Sequence, residues 1–458
     1  MPGLTPAQTR SLRDRFPGDG FTAVPEEMCA FGADASRLFE APWAVVRPEC
    51  EEQVVGLLTW AQDEGVPLFP RARGTNVVGA CVPRGGGVVV SMLRMNRILQ
   101  IDAEDFVAVV QPGVVTADLQ AELGRRGLMY PPDPASVRIS TIGGNVATCA
   151  GGMSAVKYGV TRDYVLGVRA VLPGGRVLHT GGRNHKNVVG LDLARLFVGS
   201  EGTLGLLTEI TLKLLPKPEA TASVLAGWPQ TAGALAAARE IFAAGILPAA
   251  MEFMDHDVLS AVALVGEVPW PEGTGAALLL RLDGGREALA ADLERLERVV
   301  RGTSPSFMRR GLGAQEEEPL WEVRRLINPA SFKVAPDKLS DDITVPRSQV
   351  RETVEGIRRI AAESGLTVLV FGHLGDGNLH VNVMHDHAAG DGPRALQVKG
   401  RVLELVLSLG GTMSGEHGVG LTKFAQLEKQ LSPLELELMR SIKKTFDPSG
   451  LLNPGKGY

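Results

Sequence analysis

The stretch Leu366-Thr-Val-Leu-Val-Phe-Gly-His-Leu-Gly-Asp-Gly-Asn-Leu-His-Val-Asn-Val383 constrains the fold more than any other segment of the chain. Two apolar, β-rich runs flank Asp376-Gly377, and a two-residue Asp-Gly loop is a strong hairpin signal because both central positions take positive φ. With those two residues as the loop, Gly375 faces Asn378, Leu374 faces Leu379 and His373 faces His380. Directly opposed side chains have Cβ atoms about 4.5–5.5 Å apart, which lets two imidazoles hold one ion. Asn382 follows two residues on, on the face of His380. The same pattern also describes two half-buried hairpin histidines with no ligand. Gly415-Glu416-His417-Gly418 favours the ion, because it offers a carboxylate and a further imidazole.

At 458 residues, 44% of them hydrophobic, the chain is long enough for two or three domains with their own cores. No apolar run approaches the roughly 18–20 residues of a membrane helix, and the N-terminus lacks the basic-then-apolar layout of a signal peptide. The expectation is a soluble, cytoplasmic protein. A formal charge of −5, with 47 basic residues spread among 52 acidic ones, gives no sign of a nucleic-acid partner. Cys29, Cys50, Cys81 and Cys149 stand far apart, with neither the spacing of an iron–sulfur cradle nor that of a zinc knuckle. Glycine is the informative excess: 55 residues, about 12% where about 7% is usual. Its clustering points to close backbone approach to a ligand.

From Pro42 onward, runs of helical and strand periodicity alternate, as in an α/β or α+β fold. The patterns predict strands at 43–47, 66–70, 87–93, 98–101 and 106–111, with helices near 53–61 and 116–124. A hairpin over 164–172 and 176–179, a short helix at 191–197 and a strand at 208–215 follow. Pro216 to Glu219 is a domain boundary. Beyond it, helices at 232–244 and 287–301 and strands at 276–282 and 366–371 predict a mainly antiparallel α+β domain. A further helix covers 394–409. The segment Phe446 to Gly455 is rich in turn chemistry and reads as pinned.

Three glycine-rich segments carry ligand signals. In Pro70-Arg-Ala-Arg-Gly-Thr-Asn-Val-Val-Gly79 the glycines allow backbone N–H groups, with Thr75 and Asn76, to face phosphate oxygens; a plain tight turn reads equally well. Tyr130 to Ser136 and Ser140 to Gly152 are too small-sided to build a core, and their prolines and Ile142 and Val146 favour a backbone wall against a flat ligand over a flexible linker. Gly199, Gly202 and Gly205 do not form a Rossmann fingerprint: the spacing differs and a strand follows.

Two histidines and a carboxylate, here His373, His380 and Glu416, make an open metal site with room for substrate and water. In an extended segment Glu416 and His417 point to opposite sides, which leaves His417 as general base. A solvated Glu-His pair is the alternative. Arg324, in Trp321-Glu-Val-Arg-Arg325, offers a guanidinium fork for a substrate carboxylate, although most arginines on such a helix are solvated.

These motifs together resemble the FAD-linked 2-hydroxyacid dehydrogenases of the glycolate oxidase FAD subunit and D-lactate dehydrogenase type. That group lies within the vanillyl-alcohol oxidase / p-cresol methylhydroxylase flavoprotein superfamily. The residues that carry the resemblance are Arg71 to Asn76, Pro132 to Ser136, Thr141 to Asn145, Gly199 to Gly205, Gly372 to His380, Gly415 to Gly418 and Leu452 to Gly455. The resemblance implies an α+β fold: an N-terminal extension (1–40), a two-subdomain FAD domain (41–218), an antiparallel cap carrying substrate and metal (219–410) and a C-terminal segment returning to the flavin (411–458). Arg73, Gly74, Thr75, Asn76 and Gly79 would hold the pyrophosphate. Pro132, Ser136, Thr141, Gly143, Gly144, Asn145, Thr148, Gly151 and Gly152 would line the flavin, with Glu201, Gly202, Leu207 and Asn453 nearby. Asn76 stands where some relatives attach flavin to a histidine, so the FAD would be non-covalent.

The implied reaction is oxidation of a small D-2-hydroxy acid. His417 is the base, Arg324 grips the carboxylate, Asn382 assists, and His373, His380 and Glu416 hold zinc, with manganese or iron as alternatives. Electrons would pass to an electron-transfer flavoprotein, an iron–sulfur subunit or a quinone, from a homodimer in the cytoplasm or peripheral to the inner membrane through a partner. An O₂-using oxidase and a non-catalytic flavin-holding subunit are the competing readings. Dicarboxylate-specific relatives carry a Lys-Tyr-Asp before a Ser-Leu-Pro-like strand, whereas this chain reads Leu339-Ser-Asp-Asp-Ile-Thr-Val-Pro346. A second substrate carboxylate would therefore meet Asp341 and Asp342, which points to D-lactate or glycolate.

Overall fold

A computed structural model describes residues 3–458, so the first two residues of the expected extension lie outside the described ones. The chain divides into two compact units: one comprises residues up to Gly151, Val160–Lys217 and Glu416–Tyr458, the other Gly152–Gly159 and Pro218–Gly415. No helix among the described residues is long and apolar enough to cross a membrane.

The first unit holds two sheets. In the smaller, Phe21–Thr22, Ala44–Val46, Val88–Ser91 and Leu68–Arg71 lie in that order, with the last three mutually parallel. Parallel strands buried on both faces read as continuous apolar runs, as Val88-Val-Val90 does. Leu12, Phe16, Val54, Leu57 and Leu58, from or beside the helices Pro6–Arg15 and Glu51–Glu64, cover one face. Leu452, near the C-terminus, bridges Leu68 in the same core. The second sheet is antiparallel, ordered Ile98–Asp102, Val107–Val110, Leu206–Lys213, Val165–Leu172 and Arg176–Gly181.

The other unit is one seven-stranded antiparallel sheet, ordered Phe307–Leu312, Ala220–Trp228, Ala276–Gly284, Ala250–Asp255, Val368–His373, Asn378–His385 and Asp337–Thr344. Side chains alternate between faces. Val224, Val368 and Val370 pack under the helices Thr231–Ala243, Arg286–Gly302, Val350–Ser364 and Gly392–Ser408. Leu225, Met254 and Phe371 pack on the opposite side, under His256–Ala263 and Gly313–Val334.

The hairpin forms, but its register differs from the expected one. Phe371, not His373, lies opposite His380, and Val370 lies opposite Val381. The turn is wider than Asp376-Gly377 because its residues bond outside the hairpin. The Gly377 carbonyl accepts from Val345 N–H, and the Asn378 amide donates to Ile343 O at 2.8 Å and to Asp342 Oδ1 at 2.6 Å. Gly372 sits at φ 145°, and a Cβ there would come within 2.7 Å of Asn378 O. A slip of two residues preserves the face. His373 and His380 therefore remain diagonal neighbours, with ring centroids 5.2 Å apart and planes at 85°.

Candidate functional site

In the first unit an elongated cavity is walled by small residues. Gly143, Gly144, Ala147, Thr148, Ala150 and Gly151 form one side and Ala72, Gly74, Thr75, Asn76 and Val77 another. Gly143, Gly144, Ala147 and Thr148 belong to a helix, Ile142–Thr148, where the sequence suggests only a wall of small residues, and Ala150 and Gly151 follow it. Gly143 is required there: a Cβ would meet Pro112 Cβ at 2.5 Å and Pro112 O at 2.8 Å. Thr141 caps the helix through Gly144 N–H, and the Asn145 amide donates to Thr116 Oγ1 at 2.9 Å, so the wall is braced from behind. On the other side, no acceptor among the described residues takes the backbone N–H groups of residues 74–77, all of which border the cavity. Consecutive unpartnered N–H groups form an anion-binding concavity. A flat, small-residue wall beside such a row fits a multi-ring ligand bearing phosphates, as FAD does.

Asn76 does different work from the phosphate contact expected of it. Its Oδ1 accepts from Val78 and Ala80 N–H at 2.9 and 3.1 Å, and its Nδ2 donates to His417 O at 3.0 Å. It braces the loop and holds the backbone of His417. Ser136, Thr141, Glu201, Gly202 and Leu207 also line the cavity, whereas Arg73, Gly79, Pro132, Gly152 and Asn453 do not. Asn453, at φ 45°, instead donates to Glu201 O at 2.6 Å and Ala80 O at 2.9 Å. Glu201 is buried at φ 51° and accepts from Val419 and Gly420 N–H. Burial pushes its carboxyl up, with those two N–H groups opposing. Burial also lowers the nearby Lys456 ammonium to about 8, against the charges of Cys81 and Glu201. Glu416 and His417 border the same cavity, with His417 Nε2 3.9 Å from Glu416 Oε1.

In the sheet unit, polar residues stand on the otherwise apolar face beneath helix Gly313–Val334. Glu252, His373, His380 and Asp342 come from four adjacent strands, with Glu252 directly opposite His373 and Asp342 directly opposite His380. Glu252 Oε1 is 2.6 Å from His373 Nδ1, and its Oε2 accepts from Arg324 Nε at 2.6 Å. Burial opposes its charge, yet His373 and Arg324 hold its carboxyl down at about 2. Arg324 also stacks on Phe371, its Cζ 4.9 Å from the ring centre. Asn382 is buried, opposite Leu369. The imidazoles and their carboxylate neighbours have the chemistry of a divalent-cation donor set, in which a ligand histidine is normally oriented by an acid on its other nitrogen.

Asp342 is fully buried and accepts from Asn378 Nδ2, Ser414 Oγ and Gly415 N–H, at 2.6, 3.1 and 2.9 Å. Asp341 pairs with Lys399 Nζ at 3.0 Å. Both carboxylates are engaged within the protein, so the expected repulsion of a second substrate carboxylate does not rest on them. Glu252 escaped sequence reasoning. Its one signal is an acid inside the apolar run Ala250-Met-Glu-Phe-Met254, where a charge stays buried only if paired.

Residues 217–457 match the family described as FAD linked oxidases, C-terminal domain, and residues 42–181 match the FAD binding domain. The chain is 40% identical to the glycolate oxidase subunit GlcD of Bacillus subtilis (strain 168), over 93% of this chain and 92% of that one. It is 36% identical to a D-lactate dehydrogenase of Anaerostipes hadrus, over 91% and 89%. It is also 36% identical to a D-2-hydroxyglutarate dehydrogenase of Stutzerimonas stutzeri (strain A1501), over 94% of each. Among solved structures, p-cresol methylhydroxylase with substrate bound aligns at TM-score 0.82 and 17% identity, covering 99% of this chain and 97% of that one, a likeness of fold.

Proposed function

This chain belongs to the FAD-linked oxidases, and from that premise we propose that it oxidises a small D-2-hydroxy acid, D-lactate or glycolate, to the 2-oxo acid. The observation that carries the reading is that Glu416 and His417 border the small-walled cavity suited to FAD. An acid and a base are thereby brought to the ligand that would take the electrons.

In this reading His373 and His380, with Glu416 from the flavin-binding unit, hold a divalent cation, zinc before manganese or iron. Arg324 binds the substrate carboxylate and Asn382 donates to the bound acid. His417 takes the hydroxyl proton at a ring nitrogen as the O–H bond breaks, while its backbone is held by Asn76. FAD held in the small-walled cavity would supply the acceptor for the hydride from Cα, and a cation held by His373, His380 and Glu416 would lower the hydroxyl pKa. The residues around Asn76 and Glu201 keep the base in place during that exchange. Electrons leave to a protein or quinone acceptor, and with Cys29, Cys50, Cys81 and Cys149 far apart in the sequence any iron–sulfur relay would lie on another chain.

The test is anaerobic mixing of the flavin-loaded protein with D-lactate, glycolate and D-2-hydroxyglutarate, metal-replete and chelated, followed at the flavin absorbance. Bleaching by D-lactate or glycolate, lost on chelation and regained with metal, is expected. Rapid O₂ uptake during turnover would identify an oxidase, and no bleaching by any acid would favour a flavin-holding subunit. His380→Ala should lose metal and turnover yet retain FAD; loss of flavin with metal retained contradicts the assignment.

A further inference from the structure

Glu252 lies wholly inside the protein, on the strand Ala250–Asp255 and not on a loop. Its two oxygens are divided between two partners: Oε1 meets His373 Nδ1 and Oε2 meets Arg324 Nε, each at 2.6 Å. These bonds link groups distant in sequence, one on the neighbouring strand at a fixed register and one on helix Gly313–Val334. We propose that Glu252 is a positioning residue that locks the metal-facing edge of His373 and the carboxylate-gripping fork of Arg324 into one rigid unit, so that cation and substrate anchor are set together. This inference rests on the roles of His373 and Arg324 proposed above.

A carboxylate on Nδ1 fixes the tautomer and the ring plane of a histidine and directs Nε2 to a metal. The same carboxylate on Arg324 Nε fixes the guanidinium plane, which Phe371 supports from one side. Two bonds of one acid cannot move independently, so a shift of the histidine shifts the arginine. An acid bonded to His373 alone would affect metal affinity alone, and one bonded to Arg324 alone would affect substrate alone.

The test is Glu252→Gln, which keeps the shape but cannot pair with both groups as an anion. Zinc and manganese affinity is measured by elemental analysis after dialysis against defined free metal, and KM and kcat are measured with D-lactate. Flavin absorbance and the thermal transition report folding. The expected result is a metal affinity lower by about 10- to 100-fold together with a raised KM, whereas Arg324→Lys, which removes the fork but leaves the Glu252–His373 bond, raises KM and lowers metal affinity by less than Glu252→Gln does. On the Arg324→Lys background, Glu252→Gln should add little further to KM. If Glu252→Gln does not fold, Glu252→Asp, which keeps the charge but draws the carboxylate back, must show the same paired losses. Wild-type metal affinity and KM in the folded variant, or loss of one without the other, overturns the coupling. A wild-type protein that binds neither ion overturns the metal assignment itself and this inference with it.

Discussion

The carboxylate of Glu201 accepts the backbone N–H of Gly420, at 3.1 Å to one oxygen and 3.0 Å to the other, and that of Val419 at 2.7 Å. The glutamate thus fastens the loop that follows Glu416-His417 to the wall of the cavity those residues border. Unpaired buried N–H groups cost about 1–3 kcal/mol each. Glu201→Ala is expected to let the loop move, slowing flavin reduction by substrate at least tenfold while FAD survives gel filtration. Glu201→Gln, which keeps an acceptor, should fall between. Stopped-flow reduction at wild-type rate in the alanine variant would contradict this.

Gly151 tests the placement of Glu416 from the opposite direction. A Cβ at Gly151 would stand 2.7 Å from Glu416 Oε2 and 3.2 Å from its Cβ. Gly151→Ala should therefore displace the carboxylate and weaken metal binding by a larger factor than it weakens flavin binding. Metal-to-flavin ratios by elemental analysis read the outcome, and a ratio equal to wild type counts against Glu416 as a ligand.

Asp255 gives the protein a pH dependence of its own. It caps helix His256–Ala263 through Val258 N–H, and complete burial pushes its carboxyl from 3.8 to about 7, partly offset by that N–H. A carboxyl raised in the folded state contributes stability below its unfolded pKa and loses it as pH climbs from about 3.8 to about 7. Asp255→Asn retains a capping oxygen and cannot ionise. Its thermal transition should match wild type near pH 4 and exceed it at pH 8, by on the order of a few kcal/mol at about 1.4 kcal/mol per pKa unit. Equal transitions across that range would show that the wild-type group ionises without penalty.

At the C-terminal end, buried Asp447 accepts from Leu451 and Leu452 N–H at 3.1 and 2.8 Å and pairs with Lys443 Nζ at 2.5 Å. Asp447→Ala leaves a half-buried ammonium and frees the segment that carries Asn453 to Glu201. The ammonium still donates to Thr203 O and Leu452 O, so the cost falls on the two orphaned N–H groups and the lost carboxylate, about 1–3 kcal/mol. Denaturant titration should show that loss together with weaker FAD retention; Asp447→Asn, which keeps the N–H acceptor, should lose less.

Most elements of the first unit, helix Ile142–Thr148 excepted, the hairpin that carries His373 and His380, and the small-residue stretches that wall a cavity were legible in the sequence, whereas four of the seven strands of the other unit, Ala220–Trp228, Ala250–Asp255, Phe307–Leu312 and Asp337–Thr344, were not. Alternation, helical period and turn chemistry are local, so neighbouring residues encode them. The register of that hairpin was settled elsewhere, by Val345 and Asp342 on another strand and its exit, which claimed the turn residues. Asn76 and Asp342 could be marked as polar and site-adjacent, but not as braces already engaged within the protein. Glu252 lies 121 residues from His373. Only the order in which seven strands assemble into one sheet puts an acid from one apolar run against an imidazole from another, and strand order follows from the packing of the whole unit.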